Sequence, residues 1–219
     1  MSVKTVYCET VYHRLLAEFP DLTRPPAFGR KKIRHAVVHH IETTPGPPVS
    51  CKLLRLAPDR LMQVKAEFAT MIEQRVMRPS KSPWASPLHV VSKKDGNLRP
   101  CGDYRDICVE RPRCARQVFP PHIEDFAQHL HGKRFFFSKI DLIRAYHQIP
   151  IAREDVKKTA ITTPFVLFEA TNIMFGLRNA AQTCQRFVDK ITRGLDFAFA
   201  YIDDILIASE TEEQHREHL

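Results

Sequence analysis

The chain has 219 residues, 43% of them hydrophobic, and 33 Lys and Arg against 25 Asp and Glu leave a formal charge of +8. That length holds one domain with a proper core or two small subdomains, and the absence of a secretory apolar region or any long apolar run argues against export and against membrane spanning. The sequence pI near 9.3 points weakly to a polyanionic partner and fits a basic soluble protein without one equally well. Cysteines at 8, 51, 101, 108, 114 and 184 form no Cys-x-x-Cys pair and match no zinc module, so reduced intracellular thiols are expected, with Cys184 in the core.

In chain order, "TVYHRLLAEF" (10–19) suggests a short helix. Residues 20–58 carry too many prolines and basic residues for regular structure, and they read as an extended arm with one strand-like piece, "HAVVHHIET". His39 and His40 are adjacent there, and adjacent strand residues point to opposite faces, which disfavours a metal-ligand pair. Residues 58–77 predict an amphipathic helix opened by Pro58, with Leu61, Val64, Phe68, Met71, Ile72 and Val76 on one face. "SPLHVVSKK" and "NLRPCGDYR" predict a hairpin turned at Asp95-Gly96, with Lys93, Lys94 and Arg99 on its tip and flank.

Residues 106–120 are Arg- and Pro-rich and irregular, and 121–132 predict a short helix ended by Gly132. "KRFFFSKIDLIRAYHQIPI" reads as strand, turn, strand, and "KKTAITTPFVLFEAT" as two short β pieces split by Pro164. "GLRNAAQTCQRFVDKITRGL" predicts a second strong helix whose apolar face runs from Leu177 through Cys184, Phe187 and Val188 to Ile191 and Leu195. "FAFAYIDDILIAS" follows as two strands, and the last residues are polar and helix-like. Strands and helices mix without regular βαβ alternation, which predicts an α+β fold with an antiparallel sheet covered on one face by helices.

Asp203 and Asp204 interrupt a nearly continuous apolar run. On a straight strand they would point to opposite faces, whereas a tight hairpin turn brings both near one point. Adjacent carboxylates repel, and a divalent cation removes that cost. Hard oxygen ligands favour Mg²⁺ or Mn²⁺ over zinc. Asp141, the acid that ends the apolar run "RFFFSKI", is the candidate third ligand. Alone it would serve as a turn or cap residue; with the pair, on strands of one sheet, it makes a two-metal site. Such a site on a basic protein suggests phosphoryl or nucleotidyl transfer, with Lys93 and Arg99 reaching over phosphates or simply forming a solvated charged hairpin.

These stretches resemble the reverse transcriptase domain of gypsy-like long-terminal-repeat retrotransposons. "YIDDILIAS" is similar to the family's Tyr-x-Asp-Asp hairpin, "FSKIDLIRAYHQIPI" to its first-aspartate motif, "KKDGNLRPCGDYR" to its fingertip hairpin and "FGLRNAAQTCQRF" to its nucleotide- and template-proximal helix. "AEFPDLTRPP" and "HHIETTPGPPVSCKLLRLAPDRL" resemble the segment that precedes the domain in such polyproteins. The resemblance implies a right-hand polymerase, with a leader over 1–57 and fingers and palm over 58–219, stopping before the thumb. It implies an RNA-directed DNA polymerase that transfers nucleotides from dNTPs to a primer 3′-hydroxyl on an RNA or DNA template. Asp141, Asp203 and Asp204 would be the catalytic, metal-binding acids for two Mg²⁺ ions, or Mn²⁺ in their place, with the Leu142 carbonyl as a further ligand. Lys93 and Arg99 would contact the triphosphate, Tyr146 would exclude the ribonucleotide 2′-hydroxyl, Phe175 and Gly176 would lie beside the base, and Gln185 and Arg186 would be support or template contacts. Tyr146 and Phe175 also fit ordinary aromatic core packing. The resemblance further implies an intracellular, cytoplasmic domain, with a virus-like particle or the nucleus as alternatives, no membrane, and other parts of a polyprotein as companions.

Departures from the family pattern are Cys108 in place of Asn, the reshuffled 109–119, Val166 in place of Gly, Ala170 and Asn172 in place of an aromatic and Arg, and Met174 in place of Pro. Val166 matters where the backbone needs positive φ. Three readings stand: an active polymerase domain, a catalytically inactive nucleic-acid-binding remnant, and a two-metal nuclease that would need neither the basic hairpin nor Tyr146.

Overall fold

The structure, a computed structural model, describes residues 11–19, 35–43, 45–92, 96, 98–107 and 136–219. The predicted helix at 121–132, the hairpin tip with Lys93, Lys94 and Asp95, the reshuffled stretch from Cys108, and the basic part of the leader over 20–34 lie outside the described residues.

Helix α1 spans Val11–Glu18, and α2 spans Pro58–Glu73 with Pro58 opening it and Asp59 in its first turn. Val64, Phe68 and Met71 of α2 are buried at helical spacing. Prediction carried this helix to Met77. It stops at Glu73 because Arg75 is left-handed (φ 58), so Val76 is buried from outside the helix.

Strands β1 (Met77–Pro79), β2 (Ser86–Ser92), β3 (Leu98–Gly102), β5 (Ile161–Thr162) and β6 (Leu167–Ala170) form a five-stranded sheet in the order β1-β6-β5-β2-β3. Strands β4 (Phe136–Asp141), β7 (Ala198–Tyr201) and β8 (Asp204–Ser209) form a second sheet in the order β4-β8-β7. The predicted single antiparallel sheet is therefore two sheets, and the larger contains one parallel pair, β2 with β5. Parallel neighbours need a long crossover, and here the connection runs through residues 103–160, including the first strand of the smaller sheet.

The predicted second strand after Asp141 is instead a 3₁₀ turn, Ala145–Gln148, followed by isolated bridges from Pro150 to Asn172 and from Ile151 to His39. Arg144 at φ 53 starts that turn, and its guanidinium donates to Gln74 (2.6 Å) and Glu67 (3.0 Å), tying the palm strand to the end of α2. Helix α3 spans Ala180–Ile191 and buries Ala180, Cys184, Phe187 and Val188; Ile191 and Leu195, predicted on the same face, are exposed. Helix α4, Glu212–His218, is capped by Thr211 and returns to the small sheet, where the His215 ring bonds Ser138 (2.7 Å) and Ser209 (2.9 Å). His215 is buried there.

Residues 35–43 are extended and pack on this body. His39 pairs with Ile151 in a parallel bridge, donating its amide to Pro150 (2.9 Å) and accepting from Ala152 (2.8 Å). Its ring is buried against Thr183 of α3 (2.9 Å), whereas the His40 ring is exposed on the opposite side. Further along, Cys51 and Ala85 exchange backbone contacts with the chain beside them, linking Ser50 to the start of β2.

Burial pushes the His39 imidazole down to about 4, against the pull of the Asp155 carboxylate, and burial does the same to His147, with Arg144 adding to it. Both rings are neutral in the fold, so the unfolded chain takes their protons first as pH drops. Their stabilisation is full above about 6.5 and is lost as pH falls from there toward about 4, at up to about 1.4 kcal/mol per pH unit for each. Denaturant unfolding between pH 7.5 and 4.5 checks this: His39→Gln lowers stability at neutral pH and makes the acid slope shallower. An unchanged slope would assign the acid sensitivity to other groups.

Candidate active site

The small sheet ends on an edge that carries three aspartates. Asp141, the last residue of β4, is the direct cross-strand partner of Asp204, the first residue of β8. Tyr201 pairs with the same Asp204 across β7 and β8, so Ile202 and Asp203 are the two central residues of a tight turn. The Asp203 carbonyl accepts the Leu142 amide (2.8 Å), which locks the turn to the end of β4. Asp141 and Asp203 are exposed and Asp204 is half-buried. Hairpin geometry, rather than strand alternation, thus brings acids that are 62 residues apart in sequence (203 − 141) to one edge. Leu142 lies at the same edge with its amide committed.

Such a turn demands positive φ at its first central position, usually filled by Gly or Asn. Here it is Ile202 at φ 55, a β-branched residue for which that region costs about 1–3 kcal/mol. Helix α3 holds it in place. Gln185, completely buried, accepts the Ile202 amide on Oε1 (2.7 Å) and donates through Nε2 to the Ala200 carbonyl (3.0 Å) and to Asp189 (2.8 Å). Cys184 adds a contact from Sγ to the Ile202 carbonyl (3.6 Å), and burial raises its thiol to about 11, so it stays protonated. Of the support and template roles expected for Gln185, its burial fits support, with its amide spent on the turn. Arg186, one residue on, faces outward and donates to Thr183 (3.3 Å).

Lys139 shares the exposed face of β4 with Asp141, two residues away, and its ammonium lies 3.0 Å from the Asp204 carboxylate. Asp204 raises the Lys139 pKa, with Asp141 and Asp203 adding to it, so the ammonium stays charged. Sequence reading passed over Lys139, although its spacing of two from Asp141 marked it as a same-face neighbour. Among the described residues the group whose ligand atoms all lie within 4.8 Å of one another is His40, Glu154 and Asp155 rather than the three aspartates, but there Asp155 already serves the Ile41 amide and Lys158.

Beside the acids lies a stacked group. Tyr146, half-buried in the 3₁₀ turn, meets Phe175 edge to face with centroids 5.2 Å apart, and the Arg99 guanidinium lies 4.4 Å from the Phe175 ring centroid. Burial raises the Tyr146 phenol, with Cys184 and Asp203 contributing. The structure therefore brings Asp141, Asp203, Asp204, Tyr146, Phe175 and Arg99 together, while Lys93 lies outside the described residues.

Gly176 (φ 100) lets the segment before α3 close on the end of β3. The Gly102 amide donates to the Phe175 carbonyl (3.2 Å), and a Cβ on residue 176 would collide with the Gly102 carbonyl. Gly176→Ala is expected to cost at least about 2 kcal/mol, from the strained φ and the broken joint together. Chemical denaturation checks this; a loss under about half a kcal/mol would mean the joint relaxes freely.

Three departures from the family pattern are absorbed locally. Met174 is buried in the core, Asn172 donates to the His147 carbonyl (2.9 Å), and Val166 has no positive φ.

A small sheet bearing acids on a hairpin turn, joined to a larger sheet that carries a basic hairpin, is the palm and fingers of a right-hand polymerase. The family described as reverse transcriptase (RNA-dependent DNA polymerase) matches residues 91–219. The chain is 30% identical over 220 residues to the retrovirus-related Pol polyprotein from transposon opus of Drosophila melanogaster, covering 96% of the chain and 21% of that protein. It is 32% identical over 227 residues to the corresponding polyprotein from transposon gypsy of the same fly, covering all of the chain and 21% of that protein. Among solved structures it matches a prototype foamy virus protease-reverse transcriptase mutant with a TM-score of 0.79 and 21% identity, over 94% of the chain and 27% of the other. A foamy viral protease-reverse transcriptase in complex with an RNA/DNA hybrid matches with a TM-score of 0.75 and 18% identity, over 94% and 27%. The chain belongs to the reverse transcriptase family, as a domain of the retrotransposon polyprotein kind, and it spans about a fifth of the length of these curated relatives.

Proposed function

We propose that this chain carries the nucleotidyl-transfer centre of an RNA-directed DNA polymerase, extending a primer 3′-hydroxyl with dNTPs on an RNA or DNA template. The observation that carries the reading is the register of Asp141 opposite Asp204 with Asp203 in the adjoining turn. Three carboxylates, two exposed and one half-buried, are hard oxygen donors that fit divalent ions of the Mg²⁺ class and not zinc. Two such ions, held by Asp141, Asp203 and Asp204 with the Leu142 carbonyl in reach, would activate the 3′-hydroxyl and neutralise the triphosphate.

The chain's own residues do the rest. The Gln185 amide and the Leu142 amide keep the turn from moving, so the carboxylates are aimed before substrate arrives. Arg99 supplies a guanidinium for the triphosphate, Lys93 is proposed to add a second cation, and Phe175 offers a ring edge to the sugar and base. Tyr146 stands under the sugar and rejects a 2′-hydroxyl by contact. Tyr146→Ala is expected to raise ribonucleotide incorporation relative to deoxyribonucleotide by about 10–100-fold, the worth of one steric contact in a pocket. Competition between rATP and dATP measures it, and an unchanged ratio would move the discriminating contact elsewhere.

The natural setting proposed is cytoplasmic, within a virus-like particle or before entry to the nucleus, with 1–57 as leader and 58–219 as fingers and palm of a longer polyprotein. Extension of a labelled DNA primer on an RNA template by the purified chain tests the function. Growth of the primer with dNTPs and Mg²⁺ supports it. Binding of the template-primer without growth would leave a non-catalytic binding remnant.

A further inference from the structure

Lys139 has no role in the chemistry described above, yet its ammonium touches the acid edge. Residues two apart on a strand share a face, and Asp204 is the cross-strand partner of Asp141, so Lys139 is the diagonal neighbour of Asp204. A long side chain spans that diagonal, and its Nζ comes to 3.0 Å from Oδ2 of Asp204. Its stem lies on an exposed strand with nothing to hold it there except the carboxylates; the Lys139 side chain is 62% exposed. An ion pair so exposed contributes little to stability, and one that costs nothing to break is suited to exchange.

We propose that Lys139 is a built-in counter-ion: it holds Asp204 in place when no divalent ion is bound, and its ammonium must give way, or be repelled at close range, when one binds. This rests on the assignment of Asp141, Asp203 and Asp204 as a divalent-ion site. Lys139 is a positioning residue and not a catalytic one, because it touches Asp204 and not the substrate. The monovalent ammonium neutralises one of three adjacent carboxylates, which lowers their mutual repulsion in the metal-free protein. A dication offers twice the charge at the same oxygens and wins, but it works against the nearby ammonium. Lys139 therefore sets the concentration of free ion at which the site fills, and it makes the site selective for ions that repay the displacement.

The test is equilibrium Mn²⁺ binding to the whole chain without nucleic acid, followed by the loss of the free-ion paramagnetic signal. Lys139→Gln is expected to tighten binding about three- to ten-fold at low ionic strength, with the gain shrinking in high salt. Lys139→Arg, which keeps the charge, is expected to bind like the unaltered chain. Asp203→Asn serves as the reference for loss of the site. If the chain binds Mn²⁺ in a manner that Asp203→Asn abolishes, and Lys139→Gln binds no more tightly, the counter-ion role is overturned while the metal site stands. If Asp203→Asn leaves Mn²⁺ binding unchanged, the metal site itself fails and the role of Lys139 falls with it. Melting temperatures of the three variants guard against a purely structural effect, which would move stability and leave the isotherm of the folded protein untouched.

Discussion

Asp203→Asn is expected to reduce nucleotide addition by at least about a thousand-fold, the scale of removing a principal electrostatic element from a polymerising centre. The fold should survive, because the structural duty at this position belongs to the backbone: the Asp203 carbonyl accepts the Leu142 amide, and the side chain is exposed. Asn keeps the shape and loses only the charge. Unfolding free energy should shift by no more than about half a kcal/mol. Single-turnover addition of dATP, together with a denaturation curve, separates the two effects. A variant that keeps more than a tenth of the rate would remove Asp203 from the chemistry. One that loses rate and stability together would make Asp203 a structural residue of the turn.

The second large effect is expected at Gln185. Its amide satisfies the Ile202 amide within the turn and the Ala200 carbonyl on the strand leading into it, and also meets Asp189. Gln185→Leu keeps the volume and strands those buried groups, at about 1–3 kcal/mol for each that finds no substitute, so a total near 3 kcal/mol is expected. Ile202 is meanwhile free to leave its left-handed conformation. A displacement of the carboxylates by an ångström costs about 100-fold in rate. The signature is a fall in rate with little change in template-primer affinity, since Gln185 touches no nucleic acid. Weaker binding with an unaltered rate would return Gln185 to the template surface.

Much of this site was legible in the sequence, and for physical reasons. Two carboxylates inside an apolar run are too costly to be accidental, and a tight turn was the geometry that made sense of them. Apolar periodicity located α2 and α3 because both bury one stripe against the sheets. What sequence could not supply was backbone conformation at single residues. Arg75, Arg144 and Ile202 all adopt positive φ without being Gly or Asn, and they respectively end α2, turn the chain after β4 and shape the acid-bearing turn. Nothing in their side chains announces this; contacts from distant residues, such as Gln74 and Glu67 for Arg144, impose it. The two-sheet topology was hidden for a similar reason, since short strands such as Ile161–Thr162 carry too little pattern to name their partner. The burial of Gln185 was concealed by its polarity: a glutamine on a helix is mostly exposed, and only the strained turn beneath it explains why this one is not. His39 was readable in part, because strand alternation separated it from His40, but its pairing with Thr183 spans 144 residues.

The most direct measurement of the central claim is single-nucleotide addition to a DNA primer on an RNA template, followed as a function of Mg²⁺ concentration with the fate of the primer resolved to one nucleotide. The account predicts a primer longer by one residue, stoichiometric release of pyrophosphate, a rate that rises with Mg²⁺ and saturates, and no product from Asp141→Asn or Asp203→Asn. Primer growth that persists without divalent ions, or a primer that is shortened instead of extended, would contradict it.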